Sequence, residues 1–285
     1  MVNLINNILE DYTNYCRVTL EDEFAEYTPT KGGPIIDYQR YKYRILSACP
    51  REVIEAKGLV IPDKYSDAYA EIGNDIAEGK PLKKYQSRNL KRISYNDDML
   101  SHWRIQHFHL GRDIEEDGFV KRTGDLLFIF FVKQKAYVLG FFSHGDWCDL
   151  DIIEIIHQNW PDELMHYRGQ KKGKVLTEEE YKILRKKNYN TTIVVKDGTE
   201  YFGPGMGVMA GGSPVEAVTN AQRVMMSFKD DFETIRLKFN QIVNSGDINQ
   251  SLGNTATIGL EMNHEIRKFV YIIYETGFRF TLNIK

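Results

Sequence analysis

Apolar and aromatic positions recur at helical spacing from the start of the chain. Leu4, Ile5, Ile8, Tyr12, Tyr15 and Val18 predict a helix over 2–24. The run Thr28, Pro29, Thr30, Lys31, Gly32, Gly33, Pro34 breaks that pattern and reads as a linker. Alternating aromatic and basic residues over 38–46 predict a strand, and Pro50 opens a short predicted helix over 51–56. Tyr65, Tyr69, Ile72 and Ile76 share one face of a helix predicted over 64–78, with Gly79 in the C-cap place. Three predicted strands follow at 103–110, 126–132 and 136–142. The second is apolar throughout, which predicts burial on both faces, and Lys133, Gln134 and Lys135 form its turn into the third. Asp149 stands as N-cap of a helix over 150–159, which Trp160 and Pro161 end.

A charged segment with Lys171, Lys172, Lys174, Arg185, Lys186 and Lys187 then predicts a domain boundary near 166–190. Beyond it, strands at 191–195 and 200–202 flank Asp197 and Gly198, a favoured hairpin turn pair. The glycines Gly203, Gly205, Gly207, Gly211 and Gly212 precede Ser213 and Pro214, which read as N-cap and first residue of a long helix to 243. Strands are predicted at 257–262, 268–274 and 278–284. The pattern predicts an α+β fold: helices followed by an antiparallel sheet, then a C-terminal β-hairpin, long helix and β-meander. The expected division is an N-terminal helix (1–30), an α+β domain (31–165) and a C-terminal α+β domain (166–285).

Composition narrows the partners. A formal charge of −3 over 285 residues rules out a polycation, so nucleic-acid binding would need a local basic patch. Cys16, Cys49 and Cys148 are odd in number and far apart, which argues against a disulfide framework or zinc knuckle and for a reducing compartment. The first residues carry no basic stretch and reach Glu10 and Asp11 quickly, unlike a signal peptide. The longest apolar run, 126–132, is far short of a membrane span. A cytoplasmic protein with no membrane partner is the expectation.

The sharpest chemical feature is the run Trp103, Arg104, Ile105, Gln106, His107, Phe108, His109, Leu110. On a strand, Ile105, His107 and His109 share a face, with the imidazoles about 6.5–7 Å apart along it. That spacing suits a base and an acid flanking a phosphodiester, or two metal ligands; buried histidines bonded to backbone would show it equally. His144 and Asp146 follow the third strand, where Asp146 would orient an imidazole at a sheet edge. His157, four residues after Ile153, reads as a core histidine. A basic segment leads into the first strand: Lys83, Lys84, Arg88, Lys91 and Arg92, interleaved with Tyr85 and Tyr95. It would hold phosphates and stack a base, or it is a solvated loop. The glycine-rich loop before Pro214 offers backbone amides to an anion or a partner, though it matches neither a Walker A loop nor GxGxxG; a lid or turn is the plainer reading. The carboxylates Glu115, Glu116, Asp117 and Asp230, Asp231 read as solvated surface charge.

In order and spacing, the segments "GKPLKKYQSRNLKR", "HWRIQHFHLG", "DLLFIFF" and "AYVLGFFSHGDW" resemble the RelE/ParE family of small toxins over residues 38–160. The resemblance implies a ribonuclease that needs no metal, in which basic residues hold the phosphates and a basic or histidine side chain assists attack by the ribose 2′-hydroxyl. It places Arg104 on the family's first-strand arginine, Lys91 and Arg92 in its basic lead-in, and His144 at its last-strand tip. The His107/His109 pair departs from the family pattern. The middle strand lacks the family's basic residue, for which Arg122 would substitute. The implied setting is a toxin–antitoxin or phage-defence system, with RNA and an antitoxin or other defence protein as partners.

Three readings follow. In the first, a cofactor-free ribonuclease, His107, His109 and His144 supply acid–base chemistry, Arg104 and Arg122 stabilise the phosphorane, and the basic segment binds RNA. In the second, His107, His109, His144 and Asp146 hold zinc or manganese for a metal-dependent nuclease or other hydrolase. In the third, the protein binds or assembles without catalysis, and the glycine loop and C-terminal strands form an interface, a homo-oligomer included.

Overall fold

The computed structural model describes residues 2–24, 26–143, 150–169, 175–248, 251–266 and 268–282. The fold is mixed α+β with mostly antiparallel strands, as expected from the pattern. The chain groups into two compact units, Met1–Gln39 with Val218–Lys285, and Arg40–Ala217. This corrects the expected division at 1–30, 31–165 and 166–285. The ends of the chain share a unit because β1 (Asn3–Asn6) pairs in parallel with β8 (Thr255–Asn263). The supposed boundary segment instead carries Tyr181, which is buried in one core of the middle unit together with Ile193, Val195 and Tyr201 beyond it.

The first unit holds β1, α1 (Ile8–Glu23) and the sheet β1-β8-β9-β10, with β9 at Lys268–Ile273 and β10 at Phe278–Phe280. Ile8, Tyr12, Cys16 and Leu20 give α1 its buried stripe. The predicted single helix over 2–24 is thus a strand, then a helix. Asn7 ends the strand, and the Asn6 side chain accepts from the Ile8 amide at 3.1 Å. The chain next enters α2 (Gly33–Arg44), which replaces both part of the predicted linker and the predicted strand over 38–46. Its aromatic and basic residues alternate, but Tyr41 and Arg44 are buried at helical spacing. The unit boundaries at Gln39/Arg40 and Ala217/Val218 fall inside α2 and the long helix α7 (Val215–Ser245).

The middle unit is built on the sheet β2-β5-β4-β3. β2 (Glu52–Glu55), predicted as a helix, is a strand parallel to β5 (Lys135–Ser143). β4 (Asp125–Val132) runs antiparallel to β5 and to β3 (Ile105–His109). Side chains alternate across the sheet, so β4 splits its apolar residues between two cores. Leu126, Phe128 and Phe130 face α5 (Asp151–Asn159), α6 (Glu178–Lys186) and the hairpin of β6 (Ile193–Val194) and β7 (Glu200–Tyr201). Leu127 and Ile129 face α3 (Ser66–Glu78) and Tyr85. Burial on both faces is what the unbroken apolar run predicted. Asp149, the expected cap of α5, lies outside the described residues, and Leu150 stands at the N-cap position without a side-chain cap bond. Among the described residues no helix is long and apolar enough to cross a membrane.

The residues predicted as one strand over 103–110 are divided. Trp103 ends a short helix, α4 (Asp98–Trp103), and Arg104, left-handed at φ 57°, turns the chain into β3. Buried Trp103 donates its indole N–H to the Tyr181 hydroxyl at 2.9 Å, tying α4 to α6. Tyr181→Phe leaves that donor without this acceptor inside the core. The expected cost is about 1–3 kcal/mol, read as a lowered urea midpoint with unchanged m-value.

Candidate functional site

β3 is the edge strand of its sheet, and the segment before it folds against it. Buried Arg44 donates to the carbonyls of Arg92 (2.9 Å) and Tyr95 (3.2 Å). Gln86 donates to Gln106 Oε1 on β3 at 2.9 Å. Arg40 donates to Ser94 O and Asn96 Oδ1 at 3.1 and 3.0 Å. These bonds hold residues 87–97 as one wall of a cleft of about 270 Å³. Ser87, Asn89, Tyr95, Asn96, Asp97 and Asp98 line that wall. His107, Leu126 and Phe128 come from the sheet, and Arg122 and Ser143 stand at its rim.

Asp97 organises the centre. Its Oδ1 accepts from the Leu100 amide at 3.0 Å, as N-cap of α4, which fixes the carboxylate. Its Oδ2 lies 3.3 Å from His107 Nδ1. The imidazole, which lines the cleft, therefore has one nitrogen close to a carboxylate that the α4 N-cap fixes, an arrangement in which a carboxylate can orient a histidine. Beside it, burial holds the Asp98 carboxyl above the usual carboxylate range; Arg185 pulls it down and Asp97 raises it further. Burial also pushes up the Tyr95 hydroxyl, with Asp97 and Asp98 adding to the effect, so Tyr95 stays protonated at neutral pH. Arg122 is exposed and has no ion pair among the described residues.

The structure brings together two of the five predicted catalytic residues, His107 and Arg122. Ile105, His107 and His109 do share a face, opposite Phe130, Phe128 and Leu126. His109 is only 2% exposed and does not line the cleft, so it is a buried histidine and not part of the cleft. Arg104 is not among the lining residues either: its Nη2 bonds Glu216 at 2.7 Å. His144 and Asp146 lie outside the described residues. Among the described residues no three His, Cys, Asp or Glu side chains are grouped to hold a metal. His157 is half-buried, with Nδ1 2.9 Å from the Tyr201 hydroxyl and Nε2 3.4 Å from Asp197, and it locks α5 to the β6–β7 hairpin.

The basic segment is largely neutralised. Lys84 meets Glu71 and the buried Asp75, each at 3.0 Å. Arg88 bonds Glu115 and, at 2.7 Å, Asp117; Lys91 is 3.6 Å from Asp117. Lys83 lies over the Tyr41 ring at 5.9 Å. Arg92 is exposed. The carboxylates Glu115 and Asp117 are thus ion-pair partners, and Asp231 accepts from the Tyr271 hydroxyl, so neither group is merely solvated charge.

The glycine loop is tied to α4, as the plainer reading of a turn has it. The Gly205 amide donates to His102 O at 3.0 Å and the Gly207 amide to Ser101 O at 2.8 Å, so the loop caps the C-terminal carbonyls of α4. The Gly212 amide goes to Met209 O and the Val215 amide to Gly207 O. A Cβ on Gly203 or Gly205 would strike the carbonyls of His102 or of Ser101 and Leu100. The loop reaches the cleft wall through Asn96, whose Nδ2 donates to Gly212 O.

No family model, curated protein or solved structure matches this chain. The site therefore stands on its own geometry.

Of the lining residues only His107, Arg122 and Tyr95 were singled out from the sequence; Asp97, Asp98, Asn89 and Asn96 were not. The signal was present: Asp97 ahead of Asp98, Met99, Leu100 and Trp103 is an N-cap before a short apolar-periodic stretch. Extending a strand back to Trp103 hid it.

Two outcomes test this arrangement. Gly205→Ala is expected to cost about 1–3 kcal/mol by forcing the loop off α4, whereas Gly211→Ala, which meets nothing within 4 Å, leaves the melting temperature unchanged. For Asp98 the folded state disfavours the charge. Its stability contribution is full below the unfolded pKa and is lost as pH rises through the raised folded pKa. Asp98→Asn should therefore melt higher than wild type at pH 7, and the gain should vanish below about pH 4, in paired melts across pH.

Proposed function

We propose that the cleft at His107 is the acid–base site of a metal-independent ribonuclease of the RelE-like toxin kind. The observation that carries the reading is the fixed pair Asp97–His107 opening on a cleft that also holds Arg122. A histidine oriented by a capped carboxylate is built to accept and return a proton, and an exposed guanidinium beside it suits an anionic substrate. The small polar cleft fits the linkage between two nucleotides better than a long duplex. The three antiparallel strands after the basic segment, in the order the toxin resemblance implies, support the same reading.

In this mechanism His107 Nε2 takes the proton of a ribose 2′-hydroxyl as the 2′-oxygen attacks phosphorus. Arg122 neutralises charge growing on the non-bridging oxygens. The 5′-oxygen leaves with a proton from Asp98, whose raised pKa keeps it protonated to higher pH than an ordinary carboxyl. The products are a 2′,3′-cyclic phosphate and a 5′-hydroxyl. Asp97 holds the ring and stabilises the imidazolium. In a toxin setting, a cognate antitoxin would act by covering this cleft.

Purified protein should cleave total cellular RNA equally in EDTA and in Mn²⁺. His107→Ala should reduce the rate about 10²–10⁴-fold. Arg122→Ala should reduce it about 10²–10³-fold, in the range for loss of one transition-state donor. Cleavage that needs Mn²⁺, or that survives His107→Ala intact, overturns the mechanism.

A further inference from the structure

Residues 113–120 form a small hairpin whose tip is acidic and whose base is fixed. The Lys121 amide donates to Asp113 O at 2.8 Å, Ile114 bridges to Val120, and the Glu115 amide donates to Phe119 O at 2.9 Å. Gly118, at φ 81°, makes the turn, and its amide donates to Glu115 O at 2.8 Å. Phe119 and Val120 are buried, and the Val120 amide donates to Lys84 O at 2.9 Å. The base is therefore anchored to the core while Glu115 and Asp117 stand at the surface.

Those two carboxylates take the cations of the neighbouring 3₁₀ turn Arg88–Lys91. Arg88 Nε lies 2.7 Å from Asp117 and its Nη2 bonds Glu115, while Lys91 is 3.6 Å from Asp117. The same turn supplies Asn89 to the cleft, and Ser87 precedes it. A strand with its scissile phosphate at His107 and Arg122 would pass Arg88 and Lys91 as it leaves. Two carboxylates on a guanidinium present the oxygens that a phosphate would present. Exposed ion pairs of this kind are weak and yield to a polyanion.

We propose that the 113–120 hairpin is an intramolecular gate, its Glu115 and Asp117 occupying the Arg88 and Lys91 positions that single-stranded RNA phosphates take when the hairpin is displaced. This rests on the ribonuclease reading and adds regulation of that site: RNA competes with the protein's own carboxylates, so binding is held back until the strand is long enough to span both.

The test is binding, separated from cleavage by working in the His107→Ala background. A fluorescein-labelled oligouridylate is titrated by anisotropy over a series of KCl concentrations. Glu115→Gln with Asp117→Asn should tighten binding and steepen the log–log salt dependence by about 1.4, two freed contacts at about 0.7 each on a single strand. Adding Arg88→Ala and Lys91→Ala should remove the gain. The equal charge change Glu178→Gln with Glu179→Gln, on exposed positions of α6, should leave both quantities unaltered. A gain of the same size in that control, a gain that survives loss of Arg88 and Lys91, or no change in slope overturns the gate. If the parent binds RNA and the hairpin variant matches it, only the gate falls. If neither binds at any salt, the ribonuclease reading falls with it.

Discussion

One strand sets the terms for the middle unit. β4 presents apolar side chains to both faces of its sheet, and neither set is stable in water. The fold answers with α3 and Tyr85 on one face and α5, α6 and the β6–β7 hairpin on the other. Once both faces are covered, the sheet's chemistry is confined to its edges. β3 is such an edge, and its free side must find partners for backbone and polar side chains. The 86–97 segment provides them, through Gln86 on Gln106 and through Arg44, which gathers the carbonyls of Arg40, Arg92 and Tyr95. Burial lowers the Arg44 pKa to about 10, still charged at neutral pH, and the three carbonyls offset its desolvation. The cleft is thus a consequence of closing a sheet edge with a polar loop.

What was legible in the sequence follows from the same physics. Strand β4, its tight turn into β5 (one residue shorter than expected, since Lys135 opens β5), the amphipathic face of α3 and the long α7 rest on strong local patterns, and each is present in the fold. The misread elements are those whose state is decided at long range. Residues 38–44 alternate in chemistry yet are helical, because Asp37, Arg40, Tyr41 and Arg44 bury one side of a helix. Glu52–Glu55 is a strand because β5 offers an edge beside it. Asn3–Asn6 pairs with Thr255–Asn263, about as far along the chain as pairing reaches, and no local pattern announces it. At the site, alternation correctly put His107 and His109 on one face, but periodicity cannot tell which imidazole reaches a cleft and which is sealed under the sheet.

The glycine loop shows how one physical premise admits two kinds of partner. Close-approaching glycine amides do seek partial negative charge, and an anion at a helix N-terminus is one source. The C-terminal carbonyls of a helix are another, with the opposite end of the same dipole. The α4 helix is one and a half turns long and ends at Trp103, so most of its carbonyls lack an intrahelical donor. The loop supplies amides to Ser101 and His102, and the Tyr43 hydroxyl and the Arg104 amide serve Leu100. Asp97 caps the other end. The glycines therefore act on the site at one remove, by holding in place the helix whose N-cap orients His107.

The basic segment makes the complementary point about charge. Read as composition, Lys83, Lys84, Arg88, Lys91 and Arg92 form a patch; read after pairing, Lys84 separates from Arg88 and Lys91. Lys84 serves the buried Asp75, which is part of α3, the helix that covers the sheet, and whose carboxylate also takes the Tyr85 hydroxyl at 2.7 Å. Removing Lys84 would leave that buried carboxylate to Lys80, 3.1 Å away, and the Tyr85 hydroxyl, so Lys84 is part of the frame. Arg88 and Lys91 pair instead with exposed carboxylates on a hairpin tip, where either partner returns to water at little cost. What separates the two kinds of pair is how firmly the acceptors are held, and only the second kind can be exchanged without disturbing the fold.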